Sequence, residues 1–426
     1  MTASPLIRRA RIALGVARQV EEAVAGGVPA DRKLTAILRR HREYGSRDRR
    51  FYGDLAFSCL RWRGWTGSVR EAGDVAAVRA HLLDHPQPSP EVRALAGDSG
   101  LALPAENRLA EGSLPERAVR FSEFAGREVR PEELVPEWLP RLLGAPPGVD
   151  SATFLADLLE SFQVRPPLWL RVRGRSAEEF AAELRAAGVD AEPGPRPASV
   201  RVWSRPHLDD LDRRFGPCFE VQDLASQAVG DACAPAAGER WWDACAGAGG
   251  KALHLADLLV GTGEVLATDV RPVMVEEIAH RARRVGTENL RWRRFDARQP
   301  LGGGALFDGV LVDAPCSGLG TWSRSPDARW RESEEHVAAN AEVQAALLAN
   351  GADHVRPGGK LVYSVCTLTR PETTGVVDGF LSAHPDFVPS PPFPVWRLPP
   401  EGPCGAMFIA PLLRVTTFGS DPKPPK

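Results

Sequence analysis

"RWWDACAGAGGKALHLADLL", residues 240–259, begins with apolar residues and an acid, crosses a glycine-rich turn and continues with apolar residues at helical spacing. This is the strand, turn and helix unit from which doubly wound parallel sheets are built. The unit recurs downstream. "GEVLATDV" (263–270) leads into "PVMVEEIAHRARRVG" (272–286) and "NLRWRRFD" (289–296); "FDGVLVDAP" (307–315) leads through "SEEHVAANAEVQAALLANGADHV" (333–355) to "GKLVYSVCTL" (359–368). The alternation predicts an α/β domain with helices on both faces and ligands at the carboxyl ends of its strands. "AMFIAPLLRV" (406–415) follows without a long helix and is expected to add an antiparallel strand.

Upstream the pattern changes. From Ile7 to about Gly73 apolar residues recur at helical spacing (Ile12, Leu14, Val16, Val20; Leu34, Ile37, Leu38; Leu55, Phe57, Leu60) without strand-like alternation, which predicts a helical bundle. Short helical pieces such as "PEELVPEWLPRLLG" (131–144) carry it into a Pro-rich linker. "PPLWLRVRG" (166–174), "SAEEFAAELRAAGV" (176–189) and "SVRVWS" (199–204) then read as strand, helix and strand. That module is too short for a usual catalytic domain. The expected division is a helical domain over 1–145, the small α/β module and a connector over 146–228, the doubly wound domain over 229–418 and a disordered tail over 419–426.

Composition narrows the function classes. A chain of 426 residues with 43% hydrophobic composition can bury more than one core. Its 53 basic and 55 acidic residues leave a net charge of −2, so any signature for nucleic acid must be local. Only Lys33, Lys251, Lys360, Lys423 and Lys426 are lysines, and arginine abundance alone proves nothing. No run reaches the ~18 apolar residues of a membrane span, and the start has no signal-peptide core. A cytoplasmic monomer with no membrane partner is expected. The seven cysteines (Cys59, Cys218, Cys233, Cys245, Cys316, Cys366, Cys404) include no CxxC pair, which argues against a disulfide framework and a metal site.

The glycine-rich turn Asp243–Lys251 lets backbone approach a ligand, and the following helix offers its first N–H groups. A phosphate-binding P-loop is excluded because Ala252 follows Lys251 where Ser or Thr is required. Asp269 closes the second strand and can accept ribose hydroxyls; Asp296 closes the third and can receive an adenine amino group. Either could instead cap a helix. NAD and S-adenosylmethionine are separated by the next two strand ends, where Asp313, Cys316 and Cys366 stand. Hydride transfer needs no thiols there. Methylation at carbon 5 of a pyrimidine does, because that carbon becomes nucleophilic only after a thiolate adds to carbon 6. Asp313 can orient the ring and stabilise charge as the adduct forms.

"DACAGAGGK" (243–251), "ATDV" (267–270), "DAPCSGLGT" (313–321), "YSVCTL" (363–368) and "FEVQDLASQAVG" (219–230) resemble motifs of the Sun (Fmu), or Nol-Nop-Sun, family of RNA cytosine-5 methyltransferases, in its bacterial ribosomal RNA small subunit methyltransferase B-like branch. The resemblance implies a Rossmann-like S-adenosylmethionine-dependent domain. It makes Cys366 the nucleophile and Cys316 the helper in product release. It also implies cofactor contacts from Cys245, Ala246, Gly247, Ala248, Gly249, Gly250 and Lys251, and from Asp269, Asp296 and Asp313. The chain departs from the family's usual pattern at Ala248 (commonly Pro), Ala252 (commonly Thr) and Thr373 (commonly Asn), while Glu372 keeps an acid.

Residues 31–50 hold eight basic and three acidic residues, in a stretch that resembles the NusB-like RNA-binding domain of some of these enzymes. A solvated helix face is the alternative. "HRARRVGTENLRWRRFDAR" (280–298) carries seven Arg against two acids and is expected to contact phosphates. The expected partner is RNA, ribosomal RNA in a naked or partly assembled state, with the target cytosine single-stranded or flipped. A transfer RNA cytosine-5 methyltransferase and a non-catalytic RNA-binding assembly factor are the alternatives.

Overall fold

A computed structural model describes residues 4–204, 206–397 and 405–416. The tail expected at 419–426 and Cys404 lie outside the described residues. The chain divides into two compact units: 1–165 with 321–333, and 166–320 with 334–426.

The first unit is helical, as the apolar spacing predicts. Its helices are α1 (Pro5–Ala25), α2 (Ala30–Arg40), α3 (Ser46–Arg61), α4 (Arg63–Thr66), α5 (Val69–Asp84), α6 (Pro90–Asp98), α7 (Leu114–Ala125), α8 (Leu139–Leu142) and α9 (Ser151–Gln163). Ser4 and Pro5 start α1 with a side-chain cap and a preset φ. The same helix buries Ala10, Ala13, Leu14, Ala17 and Val20, one apolar stripe. Helix α9 belongs here through Phe162, which meets Trp322 of the returning segment at a ring separation of 5.4 Å. The boundary therefore falls at 165/166, twenty residues beyond the expected 145. Buried Arg329 anchors that segment by donating to the carbonyls of Arg61, Leu134, Phe162 and Trp322. Local periodicity gives no sign of such a return.

Buried polar groups hold this core in one arrangement. Asp84 accepts from Ser58 at 2.6 Å and Trp62 at 3.2 Å and pairs with Arg61 at 3.2 Å. Despite burial, Arg61 and Arg165 hold its carboxyl well below the usual range.

The second unit contains two sheets. The antiparallel sheet β2-β3-β1-β4 uses β1 (Leu168–Val172), β2 (Ala191–Pro193), β3 (Ser199–Val202) and β4 (Phe219–Val221), with α10 (Ala177–Ala186) and α11 (Leu208–Phe215). β2 and β4 were not expected, since three-residue strands carry no readable period, and neither was α11. Arg171 and Arg173 of the module grip Asp257, the former at 2.6 Å, and Arg281 and Arg284 grip buried Glu220. These ion pairs weld the module to the larger sheet.

That sheet comprises β5 (Arg240–Asp243), β6 (Glu264–Asp269), β7 (Leu290–Arg294), β8 (Phe307–Asp313), β9 (Val355–Val365), β10 (Phe387–Pro389), β11 (Val395–Arg397) and β12 (Met407–Arg414). Its order is β10-β12-β9-β8-β5-β6-β7, with β11 beside β12. β5 to β9 are parallel and β12 runs antiparallel to β9, as expected. Alternate residues enter opposite cores: Trp241, Leu311, Val362 and Ile409 face one side, Trp242, Val310, Tyr363 and Phe408 the other. The first side is covered by α12 (Leu224–Cys233), α13 (Gly250–Leu258) and α14 (Pro272–Val285), the second by α15 (Glu334–Asp353) and α16 (Thr374–Ala383). Connections run outward from β5 and β8 in opposite directions, so the crevice between these strands is the topological switch point. Among the described residues no helix is long and apolar enough to cross a membrane.

Two buried histidines give this fold a pH dependence. Burial pushes His81 and His254 down to about 3. The unfolded chain takes up protons near the ordinary histidine value, about 6.5, whereas the folded chain does not. Stability should therefore fall as pH drops from about 7 to about 5, by ~2 kcal/mol for each histidine. Denaturant unfolding at both pH values should show the loss, and His254→Gln should reduce it.

Candidate active site

The switch point opens into a cavity of ≈ 680 Å³ lined from four strand ends. After β5 the chain turns through Ala244–Gly249 and enters α13. Gly247 and Gly249 take positive φ values of 53° and 85°, which other residues resist. Cys245, Ala246, Gly247, Ala248, Gly250 and Lys251 line the cavity, together with Asp269, Asp296, Asp313 and Cys316. Gly249 and Cys366 are not among the lining residues. Gly249 instead permits close packing, since a Cβ there would lie 3.0 Å from Ile278.

The acids differ in their remaining capacity. Asp269 accepts from the Gly247 and Arg271 backbone N–H groups, each at 2.9 Å, and from the Arg271 guanidinium at 2.9 and 3.0 Å. These four donors fill its lone pairs and, against burial, hold its carboxyl below the usual range. The Arg271 side chain is 62% exposed, so its fork can leave. Asp296 is held below the usual range by Arg298, which clasps it at 2.7 Å. Asp313 has one strong donor on each oxygen: Lys251 Nζ at 2.6 Å and Ser364 Oγ at 2.7 Å. Each oxygen keeps a lone pair for a ligand. Burial alone would lower the Lys251 ammonium, but Asp313 overcomes it and holds Lys251 above the ordinary lysine value. Asp243, fully buried at the end of β5 with neither carboxylate oxygen hydrogen-bonded, is pushed up to about 8 by burial and then by Asp313.

Cys316 and Cys366 lie on adjacent loops with their sulfurs 3.3 Å apart. The hydrogen bond to Cys366, followed by burial and the charges of Cys366 and Glu372, pushes the Cys316 thiol well above the ordinary range. Glu372 fixes this pair. Completely buried, it accepts on one oxygen from Ser317 N at 2.8 Å and Gln344 Nε2 at 3.1 Å, and on the other from Ser317 Oγ at 2.5 Å and Thr369 Oγ1 at 2.7 Å. Since the Ser317 hydroxyl is spent on Glu372, the Thr367 hydroxyl donates to Ser317 across 2.8 Å. Ser317 adjoins Cys316 and Thr367 adjoins Cys366, so one carboxylate ties the two loops together. Gly320 closes the turn: its N–H donates to the Cys366 carbonyl at 2.9 Å, and a Cβ on it would fall 1.9 Å from the Ala406 carbonyl.

Sequence reasoning noticed Glu372 only as a retained acid and missed Ser317, Gln344, Ser364, Thr367 and Thr369. Gln344 carried a signal: it is a polar residue on the stripe of α15 that buries Leu347, Leu348 and Gly351.

The arginine clusters divide by role. Arg32, Arg39, Arg40, Arg42, Arg47 and Arg50 are exposed. Arg49 instead closes the end of α2 through the carbonyls of Leu38, His41 and Tyr44. In the second cluster Arg281 and Arg284 are committed to Glu220, while Arg283, Arg291, Arg293, Arg294 and Arg298 are exposed.

Similarity to known proteins follows the same residues. The probable ribosomal RNA small subunit methyltransferase B of Bacillus subtilis (strain 168) is 32% identical over 267 residues, 62% of this chain and 59% of the relative. The chain spans about three fifths of the length of the curated relatives it matches. Among solved structures, PH0851 has a TM-score of 0.72 at 22% identity, covering 97% of this chain and 99% of that one. NSun6 from Pyrococcus horikoshii, solved with SFG, has a TM-score of 0.57 at 20% identity, covering 66% of this chain and 98% of that one. At such identities the likeness is one of fold. The family model for 16S rRNA methyltransferase RsmB/F matches residues 231–393, a stretch that contains all four cavity-lining strand ends and both paired cysteines.

Proposed function

We propose that this chain methylates carbon 5 of a cytosine in RNA, with S-adenosylmethionine as cofactor and Cys366 as the nucleophile that adds to carbon 6. The observation that carries the reading is the pair of sulfurs 3.3 Å apart, one of which, that of Cys316, belongs to a residue lining the cavity. One thiol suffices to activate a pyrimidine ring; a second, held against the first, suits the later expulsion.

The residues fit the cofactor. The cavity has the size of a small-molecule site, and the turn before α13 brings backbone to its wall. Asp269 would take the ribose hydroxyls once Arg271 swings away, and Asp296 the adenine amino group. When bound, S-adenosylmethionine supplies the methyl group. The solved NSun6, which contains SFG, supports this choice.

The chain's own residues account for the rest. Cys366 acts as the thiolate in this reading, with the Lys251 ammonium as a nearby positive charge, while the hydrogen bond to Cys366 and burial push the Cys316 thiol up. Asp313, steadied by Lys251 and Ser364, faces the base with one lone pair on each oxygen. Addition of Cys366 at carbon 6 makes carbon 5 nucleophilic toward the methyl group. The carbon 5 proton then passes to water, the 5,6 double bond re-forms as the carbon–sulfur bond breaks, and Cys316 assists release by its hydrogen bond to the departing Cys366 sulfur. The name of the Bacillus subtilis relative favours ribosomal RNA as substrate, and the exposed arginines of 31–50 supply phosphate contacts.

Asp269→Ala should weaken cofactor binding by roughly 5- to 150-fold, the equivalent of losing ~1–3 kcal/mol of hydrogen bonding. Arg271→Ala should not weaken it, because that change only liberates acceptors. Calorimetry on both variants checks this; unchanged affinity in Asp269→Ala would remove Asp269 from the site. For the thiols, Cys366→Ala should abolish turnover and form no covalent complex, whereas Cys316→Ala should still methylate and then accumulate a protein–RNA adduct. A denaturing gel separates these outcomes. An adduct formed only by Cys366→Ala would transfer the nucleophile's role to Cys316, and equal residual activity in both variants would remove the proposed chemistry.

A further inference from the structure

We propose that Cys316 and Cys366 also form a redox site, in which an oxidant of the peroxide class joins the two sulfurs in an intramolecular disulfide that a dithiol reductant reopens. Contact between the sulfurs is the first observation. At 3.3 Å they need to close to only about 2.05 Å for a bond. The second is that the backbone holds them in that relation. Glu372 gathers Ser317, Thr369 and, through Ser317, Thr367, while the Gly320 N–H holds the Cys366 carbonyl. Access is the third: both cysteines are half-buried and Cys316 lines the cavity, so a small oxidant can reach them. No other pair of cysteine sulfurs is in contact among the described residues, and Cys59 and Cys233 are buried. Charge favours reaction here, since Lys251 stands near Cys366 and a thiolate is the attacking species.

The chemistry balances with hydrogen peroxide as oxidant. One sulfur, as thiolate, attacks a peroxide oxygen; the O–O bond breaks, and a sulfenic acid and one water result. The second thiol attacks that sulfur, the S–S bond forms and a second water departs with the remaining proton. Two thiols are oxidised and one peroxide is reduced to two waters. Resting on the reading of Cys366 as nucleophile, the disulfide form cannot add to a pyrimidine and is catalytically silent until reduced.

The test treats the full chain with equimolar hydrogen peroxide, blocks remaining thiols under denaturing conditions and maps peptides without reduction. The expected result is a linked peptide pair carrying Cys316 and Cys366 within one chain, with two titratable thiols lost and both regained after dithiothreitol. Cys316→Ser should give no linked pair and should leave Cys366 as a sulfenic acid captured by a dimedone probe. Cys366→Ser should likewise give no linked pair. The proposal is overturned if Cys316 and Cys366 remain fully alkylatable after peroxide, if the linked peptides come from two chains, or if Cys316→Ser still loses two thiols reversibly. Peptide linkage is read without methyl transfer, so failure here leaves the cytosine-5 reading standing, and failure of that reading leaves the linkage intact.

Discussion

A single buried carboxylate governs the geometry of the site. Glu372 has no exposed surface and four donors, two on each oxygen. A buried charge is tolerated only when so satisfied. Its donors come from the loop after β8, the loop after β9 and helix α15, so three elements that meet nowhere else in sequence must converge before the charge is compensated. Cys316 and Cys366 are carried to their 3.3 Å separation by that convergence. Tyr363 adds a second tie from within the core, its single hydroxyl proton shared between the Gln344 side-chain oxygen at 3.0 Å and the Glu372 carbonyl at 2.7 Å.

The sheet makes the convergence possible. Asp313 and Ser364 are register partners on β8 and β9, which explains their side-chain hydrogen bond and the short reach from each strand end to its cysteine. Because the order reverses between β5 and β8, the glycine turn after β5 faces the same crevice as the Cys316 loop. Lys251, from the first turn of α13, spans the crevice to Asp313. The glycine-rich turn and the strand end that leads to Cys316 are thus joined by one ion pair, a direct result of strand order.

Much of this is legible in the amino-acid sequence, and the remainder is not for definite reasons. β5, β6, β8 and β9 announce themselves because residues such as Trp241 and Trp242 enter two different apolar cores, and Asp269, Asp313, Cys316 and Cys366 stand out because they occur at strand ends. β2, β4, β10 and β11 are too short to show a period. The return of 321–333 to the helical unit depends on Arg329 finding distant carbonyls, a relation between segments that local spacing cannot encode. Charge counts mislead for the same reason. Arg49, Arg281 and Arg284 swell the basic clusters, yet the first closes a helix and the others hold Glu220. Of the polar clamp, only Gln344 breaks a pattern visible along the chain.

The central claim, that the paired thiols serve replacement of hydrogen at carbon 5 of cytosine, is tested most directly by isotope release. Ribosomal RNA carrying tritium at carbon 5 of cytosine would be incubated with the protein and S-adenosylmethionine, and tritium in water compared with methyl groups incorporated. The account predicts one tritium released for each methyl transferred. Methyl transfer without tritium release would place the new group on another atom and contradict it.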